Sequence, residues 1–200
     1  LTANISGVEE LVLYNQNITD LTGIEDFSAL TYLYCNGNQL TSLDLSLNTA
    51  LTFLVCQNNQ LISLDVSGCN ALNELYCYDN QLTSLDVSGC TALPELYCYD
   101  NQLTSLDVSG CTALTKLYCY DNQLTCLNLK NGNNLNFENL YTFDNPNLTC
   151  IEVDIADYSS TTWPFDAENF GFGDNHYFSN DCDYPAGRGS FSNCDVVISD

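Results

Sequence analysis

Residues 72–92 read LNELYCYDNQLTSLDVSGCTA and residues 93–113 read LPELYCYDNQLTSLDVSGCTA, so these two copies differ at one position. Further copies with the same 21-residue spacing start at Leu30 and Leu51, before this pair, and at Leu114, after it. Looser copies begin near Val8 and Phe137. The chain therefore holds about seven units, and stacking arrays need about three units to be stable. The repeat predicts a solenoid in which each unit forms one coil.

Each unit follows the pattern LxxLxLxxNxL with cysteine at the second strand position, as at Leu75, Cys77, Asn80 and Leu82. This pattern is the leucine-rich-repeat signature, and it extends over residues 8–153. One unit cannot bury its own apolar residues, so successive coils must stack and share an interior. We predict a β-rich leucine-rich-repeat solenoid with a parallel concave sheet and little helix. The alternating stretch LTSLDVS predicts a second short strand or extended segment on the convex side.

The same pattern predicts a domain organisation and a role for the repeated asparagine. Residues 1–29 are expected to form an N-terminal capping repeat, residues 30–153 the repeat array, and residues 154–200 an irregular C-terminal cap rich in Cys and Asp. The asparagines are expected to satisfy backbone groups of the turns from inside, because buried polar groups must be hydrogen-bonded. They are Asn38, Asn59, Asn80, Asn101, Asn122 and Asn145.

Twelve cysteines would suggest a disulfide scaffold, but eight of them repeat with the coils. We interpret these eight as buried free thiols that act as small apolar fillers: Cys35, Cys56, Cys77, Cys98 and Cys119 at one position, and Cys69, Cys90 and Cys111 at another. The remaining four are Cys126, Cys150, Cys182 and Cys194.

Two pairings of these four cysteines stay open. A Cys150–Cys182 disulfide would bracket an aromatic stretch that includes Trp163 and could cover the open end of the core. A Cys126–Cys150 disulfide is the rival, because those residues share one column in neighbouring coils. Either disulfide predicts an oxidising compartment.

The charge balance excludes whole classes of partner. Lys plus Arg total 3 against 26 Asp plus Glu, which gives a formal net charge of -23. Such a chain cannot neutralise phosphates, so we expect no nucleic-acid binding, and anionic lipid surfaces are equally disfavoured. No apolar run approaches the ~20 residues that a membrane-spanning helix needs, so membrane insertion is not expected.

Three parts of the chain resemble secreted leucine-rich-repeat proteins of the Bacteroidetes. These are the repeat LTSLDVSGCTALTKLYCYDNQ, the N-terminal stretch ISGVEELVLYNQNITDLTGIEDFSAL, and the C-terminal stretch from NPNLTCIEVD to Cys182 with Trp163. The resemblance covers roughly residues 3–182, whereas FGFGDNHYF and everything after Cys182 depart from the pattern. It implies a secreted or cell-surface protein with a role in adhesion or recognition.

Residues that flank the buried Leu and Cys of each strand should face outward and form columns on the sheet. These columns are rich in tyrosine and bordered by acids, and exposed aromatic patches of this kind usually mark interaction sites. The candidate ligand-binding residues are Glu74, Tyr76, Tyr78, Asp79, Glu95, Tyr97, Tyr99, Asp100, Lys116, Tyr118, Tyr120 and Asp121. We expect a glycan ligand stacked on the ring faces, or an extracellular protein or peptide. The alternative is that the tyrosines only stabilise neighbouring strands.

Catalysis and cofactors are not expected. A linear array of duplicated acids offers no enclosed pocket, and His176 is the only histidine available for a catalytic set. The best calcium candidates are Asp174, Asp181 and Asp183, although their spacing matches no EF-hand loop. Two further functions stay open, a structural spacer of a larger surface protein and an ice-binding protein. The second rests on an outward column of Thr41, Thr83, Thr104 and Thr125.

Overall fold

The structure, a computed structural model, describes residues 5–163, 170–172 and 176–182. The repeat coils into a parallel β-solenoid, as predicted, and most coils contribute one strand to a long sheet. The long sheet has eight parallel strands. In spatial order they are Glu10–Val12, Tyr32–Tyr34, Phe53–Val55, Glu74–Tyr76, Glu95–Tyr97, Lys116–Tyr118, Asn139–Tyr141 and Phe170–Gly171.

The opposite side of each coil carries the second short strand that the LTSLDVS pattern predicts. One short sheet has two strands, Ser42–Asp44 and Ser63–Asp65. The other has four strands, Ser105–Asp107, Cys126–Asn128, Cys150–Glu152 and Tyr177–Ser179. Between these two short sheets, an isolated β-bridge pairs Asp65 with Asp86.

Helix is sparse among the described residues. It comprises one α-helix, Ala156–Thr162, and two 3-10 turns, Ile24–Asp26 and Asn134–Asn136. A 21-residue coil is too short for a full helix on its far side, which is why extended segments occupy that position.

The strands pair in register, so each sequence column becomes a physical column. Leu75 faces Leu96, and Leu96 faces Leu117. These three leucines are fully buried. Burial of a leucine side chain stabilises the fold by about 1.5–3 kcal/mol, so the shared interior supplies most of the driving force. The flanking residues of each strand are only half-buried, as the alternation predicts.

The repeated asparagines hold the turns from inside, which confirms their predicted role. The Nδ2 of Asn101 donates to the carbonyl oxygens of Cys77 (3.1 Å) and Cys98 (3.2 Å). It also lies 3.2 Å from the carbonyl oxygen of Tyr99, and its Oδ1 accepts the backbone N–H of Leu82 at 3.0 Å. Each asparagine therefore ties its own turn to the preceding coil. The same pattern repeats at Asn59, Asn80, Asn122 and Asn145.

The eight repeated cysteines are free and buried, as predicted. Desolvation raises the pKa of their thiols above the ordinary value of 9.0, to about 11 at Cys90 and about 12 at Cys35 and Cys77. The thiols are therefore protonated and unreactive near neutral pH.

At the C-terminal end, Cys150 is disulfide-bonded to Cys182, with their Cα atoms 5.9 Å apart. The rival Cys126–Cys150 pairing is therefore wrong. Cys126 packs against the Cys150–Cys182 bond and is itself disulfide-bonded. Cys194 lies outside the described residues. Nothing in the spacing distinguishes the pairings, because the choice depends on how the chain returns after the helix.

Trp163 closes the core at this end, as the aromatic stretch around it predicts. Its side chain is 1% exposed. The ring stacks on Phe170 with the centroids 5.6 Å apart, makes an edge contact with Phe178, and lies at a tilt of 47° to Phe137. Phe170–Gly171 extends the long sheet and Tyr177–Ser179 extends a short sheet, so the predicted cap region continues the solenoid in its described part. Pro164 and Phe165 of the aromatic stretch lie outside the described residues, and the domain boundaries stay a prediction.

Replacing both Cys150 and Cys182 by serine should lower the free energy of unfolding by about 3 kcal/mol, because the bond closes a loop with a sequence separation of 32. Urea denaturation followed by Trp163 fluorescence measures this change. Replacing the free thiol Cys111 by serine serves as a comparison for the loss of a sulfur atom from the core. An unchanged midpoint in the double variant would contradict a stabilising role for the disulfide.

Candidate ligand-binding face

The predicted tyrosine columns exist and form two continuous ring stacks, which we call the tyrosine face. The first stack runs through Tyr76, Tyr97, Tyr118 and Tyr141, with successive centroids 4.6, 4.5 and 5.2 Å apart. The second runs through Tyr78, Tyr99, Tyr120 and Phe143, with successive centroids 4.4, 4.4 and 4.5 Å apart. In-register parallel strands produce this geometry, because equivalent residues are spaced by about one strand separation.

The rings within each stack lie nearly parallel, with interplanar angles of 6–15°. Each inner ring therefore has both of its faces covered by its two neighbours, and the first stack ends against the backbone of Gly171. A Cβ atom at Gly171 would lie 2.6 Å from the ring of Tyr141, so only glycine allows this approach. A ligand on the tyrosine face therefore meets ring edges and hydroxyl groups. From the sequence, sugars were expected to stack on ring faces, and the stacking of the tyrosines covers those faces.

The hydroxyl groups of the tyrosine face are neutral hydrogen-bonding groups. Burial and a hydrogen bond to the Glu95 carboxylate raise the pKa of Tyr97 far above its ordinary value of 10.0. Burial and the neighbouring rings Tyr78 and Tyr120 raise the pKa of Tyr99 in the same direction. The surface thus presents rows of aromatic edges with phenol donors and acceptors.

The acids at the strand ends occupy a special backbone position. Asp79, Asp100 and Asp121 have φ angles of 50°, 50° and 49°, in the left-handed region. Asn58 (φ 56°) and Gly37 (φ 67°) take the same conformation in earlier coils. Asp, Asn and Gly are the residues that tolerate this region best, so the turn itself selects them. Their alternation in one column was the available sequence signal for this geometry.

These aspartates remain exposed and form an acidic margin along the second stack. Partial burial, together with Asp121 and Asp79 on either side, raises the pKa of Asp100 above its ordinary value. The margin is therefore a row of like charges that no cation among the described residues balances.

On the other flank of the first stack, two glutamates make equivalent contacts in adjacent strands. Glu74 accepts a hydrogen bond from the hydroxyl of Tyr76 at 2.7 Å, and Glu95 accepts one from Tyr97 at 2.9 Å. Glu95 also binds the Nζ of Lys116 at 2.6 Å. This hydrogen bond from Lys116 is the largest influence on Glu95 and lowers the pKa of its carboxyl. The predicted site residues Glu95 and Lys116 are thus bound to each other.

The N-terminal part of the long sheet presents aromatic residues that do not stack. The rings of Tyr32 and Phe53 are tilted by 39° at 6.1 Å, and Phe53 meets Tyr76 at 46° and 5.8 Å. Tyr32 is 45% exposed and Val12 is 54% exposed. The candidate residues above omitted Tyr32 and Phe53. Their position in the same column as Glu74 was the signal that could have identified them.

On the convex side, the aspartates that end the short strands form an acidic column, and this column has a structural explanation. The Oδ1 atoms of Asp44 and Asp65 accept the backbone N–H groups of Ser46 and Ser67 at 3.0 and 2.9 Å. These turns account for Asp at that position without a ligand. The threonine column beside it is interrupted by the exposed Ile62, and ice binding remains an untested hypothesis.

Among the described residues, neither a cluster of metal-ligating side chains nor a membrane-spanning helix is present. No group of three or more His, Cys, Asp or Glu side chains there is arranged to hold a metal ion. Asp174 and Asp183 of the calcium hypothesis lie outside these residues, so that hypothesis stays untested. Within the described ranges, no helix combines the length and apolar character that crossing a bilayer requires.

Solved structures of leucine-rich-repeat proteins resemble this chain. The functional domain of InlJ from Listeria monocytogenes, described as including a cysteine ladder, is 39% identical with a TM-score of 0.60 over 74% of this chain and 30% of that one. The internalin InlF from Listeria monocytogenes is 23% identical with a TM-score of 0.55 over 87% and 48%. YopM, a leucine-rich effector protein from Yersinia pestis, is 20% identical with a TM-score of 0.58 over 85% and 50%.

These similarities establish the leucine-rich-repeat solenoid fold, and the two more distant structures show the fold alone. The chain spans half or less of the length of each of the three proteins. No protein-family model matches the sequence, and no curated protein has a matching sequence.

Proposed function

We propose that this leucine-rich-repeat solenoid is a non-catalytic binding module that holds a basic protein partner on its tyrosine face. The fold arranges seven similar coils into one extended sheet surface, and stacked repeats of this kind commonly present such surfaces to partners. The observation that carries the proposal is the pair of continuous ring stacks, which expose edges and hydroxyl groups along a row of acids.

The stacked geometry favours a protein over a glycan. A sugar ring packs against an open aromatic face, and the inner rings of both stacks have neither face open. Rows of tyrosine edges with phenol groups instead suit a protein surface, because tyrosine provides a large rigid contact area with a polar end. Glycan binding remains the second candidate.

The charge distribution favours a basic partner. The first 115 residues contain 13 acidic residues and neither Lys nor Arg. Both lysines of the described ranges are already paired, Lys116 with Glu95 and Lys130 with Glu152. A partner rich in Lys and Arg would be steered to this surface and would bind more weakly as salt screens the charges.

The test is binding of the chain to arrays of glycans and of basic, neutral and acidic peptides at 50 and 500 mM NaCl. We expect signals on basic peptides that fall about tenfold or more at the higher salt concentration. The variant Tyr78→Phe/Tyr99→Phe/Tyr120→Phe keeps the ring stack and removes three hydroxyl groups, and it should weaken peptide binding about threefold or more.

The matched control is Thr41→Val/Thr83→Val/Thr104→Val, which removes three hydroxyl groups from the convex side. It should leave peptide binding unchanged. Salt-insensitive binding to glycans, or an equal loss in both triple variants, would contradict the proposed function.

We also propose that the chain acts outside the cytosol, at the cell surface or in a secreted protein. The Cys150–Cys182 disulfide supports this location, because such bonds persist in oxidising compartments. The role of a structural spacer would predict a stable fold with no peptide binding at either salt concentration.

A further inference from the structure

We propose that Glu74, together with the rings of Phe53 and Tyr32, is the position at which the tyrosine face takes an Arg or Lys side chain of its partner. This inference rests on the proposed function and names the group that the surface recognises. It begins from one column of the long sheet, in which Glu10, Tyr32, Phe53 and Glu74 are register neighbours.

The column places two aromatic rings between two carboxylates. Glu10 pairs with Tyr32, Tyr32 pairs with Phe53, and Phe53 pairs with Glu74 in the strand register. The two rings are tilted by 39° with centroids 6.1 Å apart, and Tyr32 is 45% exposed, so Tyr32 offers the open face. Phe53 is half-buried, with the tilted rings of Tyr34 and Tyr76 at 5.4 and 5.8 Å. An open aromatic face beside a carboxylate attracts a cation through both the ring quadrupole and the charge.

The molecule contains its own example of a cation held in this column. Glu95 occupies the position next to Glu74 and makes the same hydrogen bond to the tyrosine two residues later. There, the ammonium group of Lys116 from the following strand binds the Glu95 carboxylate at 2.6 Å. No cation of the described residues reaches Glu74, whose neighbour on the preceding strand is Phe53.

The difference between the two glutamates follows from the sequence of the repeats. Lys116 stands at the column position that Glu74 and Glu95 occupy in their own coils, and its ammonium group contacts Glu95 at 2.6 Å and Glu138 at 3.6 Å. Glu74 is separated from Lys116 by a full strand and stays uncompensated. A cationic side chain of the partner would repeat at Glu74 the contact that Lys116 makes at Glu95.

The experiment measures binding of a fluorescein-labelled hexa-arginine peptide by fluorescence anisotropy, with a hexa-glycine peptide as the neutral probe. Glu74→Gln preserves an acceptor for Tyr76 and should weaken hexa-arginine binding at least fivefold. The matched control Asp65→Asn removes one charge from the convex side and should change binding less than twofold. Phe53→Ala should weaken binding about threefold.

A second pair of variants tests the comparison between the two glutamates. Lys116→Met frees Glu95 and the more distant Glu138, and it should strengthen hexa-arginine binding about threefold, mainly through Glu95. Adding Glu95→Gln to Lys116→Met should cancel that gain, whereas a gain that survives Glu95→Gln would overturn the inference.

The outcomes separate this inference from the proposed function. If the triple Tyr→Phe variant weakens binding while Glu74→Gln and Asp65→Asn lose binding equally, the position at Glu74 is wrong and the binding face stands. If hexa-arginine binds no more tightly than hexa-glycine, both are wrong.

Discussion

Raising the pH above 9 is expected to unfold this protein through its buried thiols. Eight cysteines are free and buried, and burial raises the pKa of each thiol above the ordinary value of 9.0, to about 11 at Cys90 and about 12 at Cys111. In the unfolded chain the same thiols ionise near pH 9. Their contribution to stability is therefore complete below pH 9 and is lost as the pH rises through 9 to 11.

The size of this effect exceeds that of a single contact. One unit of pKa difference is worth about 1.4 kcal/mol, so eight thiols lower the free energy of unfolding by roughly 11 kcal/mol at pH 10 relative to pH 7. Natural domains have about 5–15 kcal/mol in total, so unfolding near pH 10 is expected. The tyrosine face adds to the effect above pH 10, because the pKa of Tyr97 and that of Tyr99 are raised as well.

Urea denaturation at pH 7, 8, 9 and 10 in oxygen-free buffer, followed by circular dichroism, tests this expectation. Labelling with iodoacetamide counts the exposed thiols at each pH. The variant Cys98→Val removes one titrating group and keeps an apolar side chain, so its free energy of unfolding should fall by about 1.4 kcal/mol less between pH 7 and 10. A free energy of unfolding that stays constant to pH 10 would show that the thiols are not buried as described.

The substitution Asn101→Ala is expected to destabilise the solenoid by about 4 kcal/mol. The side chain is 9% exposed and contacts the carbonyl oxygens of Cys77, Cys98 and Tyr99 while accepting the N–H of Leu82. Removing the amide leaves the buried N–H of Leu82 without a partner, which costs about 1–3 kcal/mol. The three carbonyl oxygens each lose one of two hydrogen bonds, at about 0.5–1.5 kcal/mol each, because Asn80, Asn122 and the N–H of Asp79 still donate to them. Thermal and urea unfolding measure the change.

Two further variants separate the hydrogen bonds from the loss of volume. Asn101→Asp keeps the acceptor for Leu82 but directs a second oxygen at carbonyl oxygens, so it should destabilise the fold at least as much at pH 7. The exposed neighbour Gln102 replaced by Ala should change the stability by less than about 0.5 kcal/mol. A cost below about 1 kcal/mol for Asn101→Ala would contradict the role of the asparagines as the internal ties between coils.

Much of the candidate site could be predicted from the repeat, and particular contacts could not. The columns that contain Tyr97 and Tyr99 follow from the 21-residue period and the alternation of buried and exposed residues. The orientation of their rings does not, because it depends on how half-buried side chains settle against neighbours in adjacent coils. That orientation changes the chemistry of the surface, since stacked rings hide the faces on which a sugar would pack.

The ion pair between Lys116 and Glu95 is another contact that the repeat alone could not predict. The sequence places both residues in one column and makes them candidates for a ligand, but only the packed strands bring Nζ and Oε1 to 2.6 Å. The contact removes one acid from the ligand-binding surface and leaves its equivalent, Glu74, available.

By itself, the sequence determined the solenoid, its register, its buried cysteines and its internal asparagines, because a repeat that cannot bury its apolar residues alone has to stack on its own copies. Only the tertiary structure decided that Cys150 pairs with Cys182, that the tyrosine rings stack, and that Lys116 neutralises Glu95. Those contacts join different coils, where the geometry of the folded chain and not local spacing sets which atoms meet.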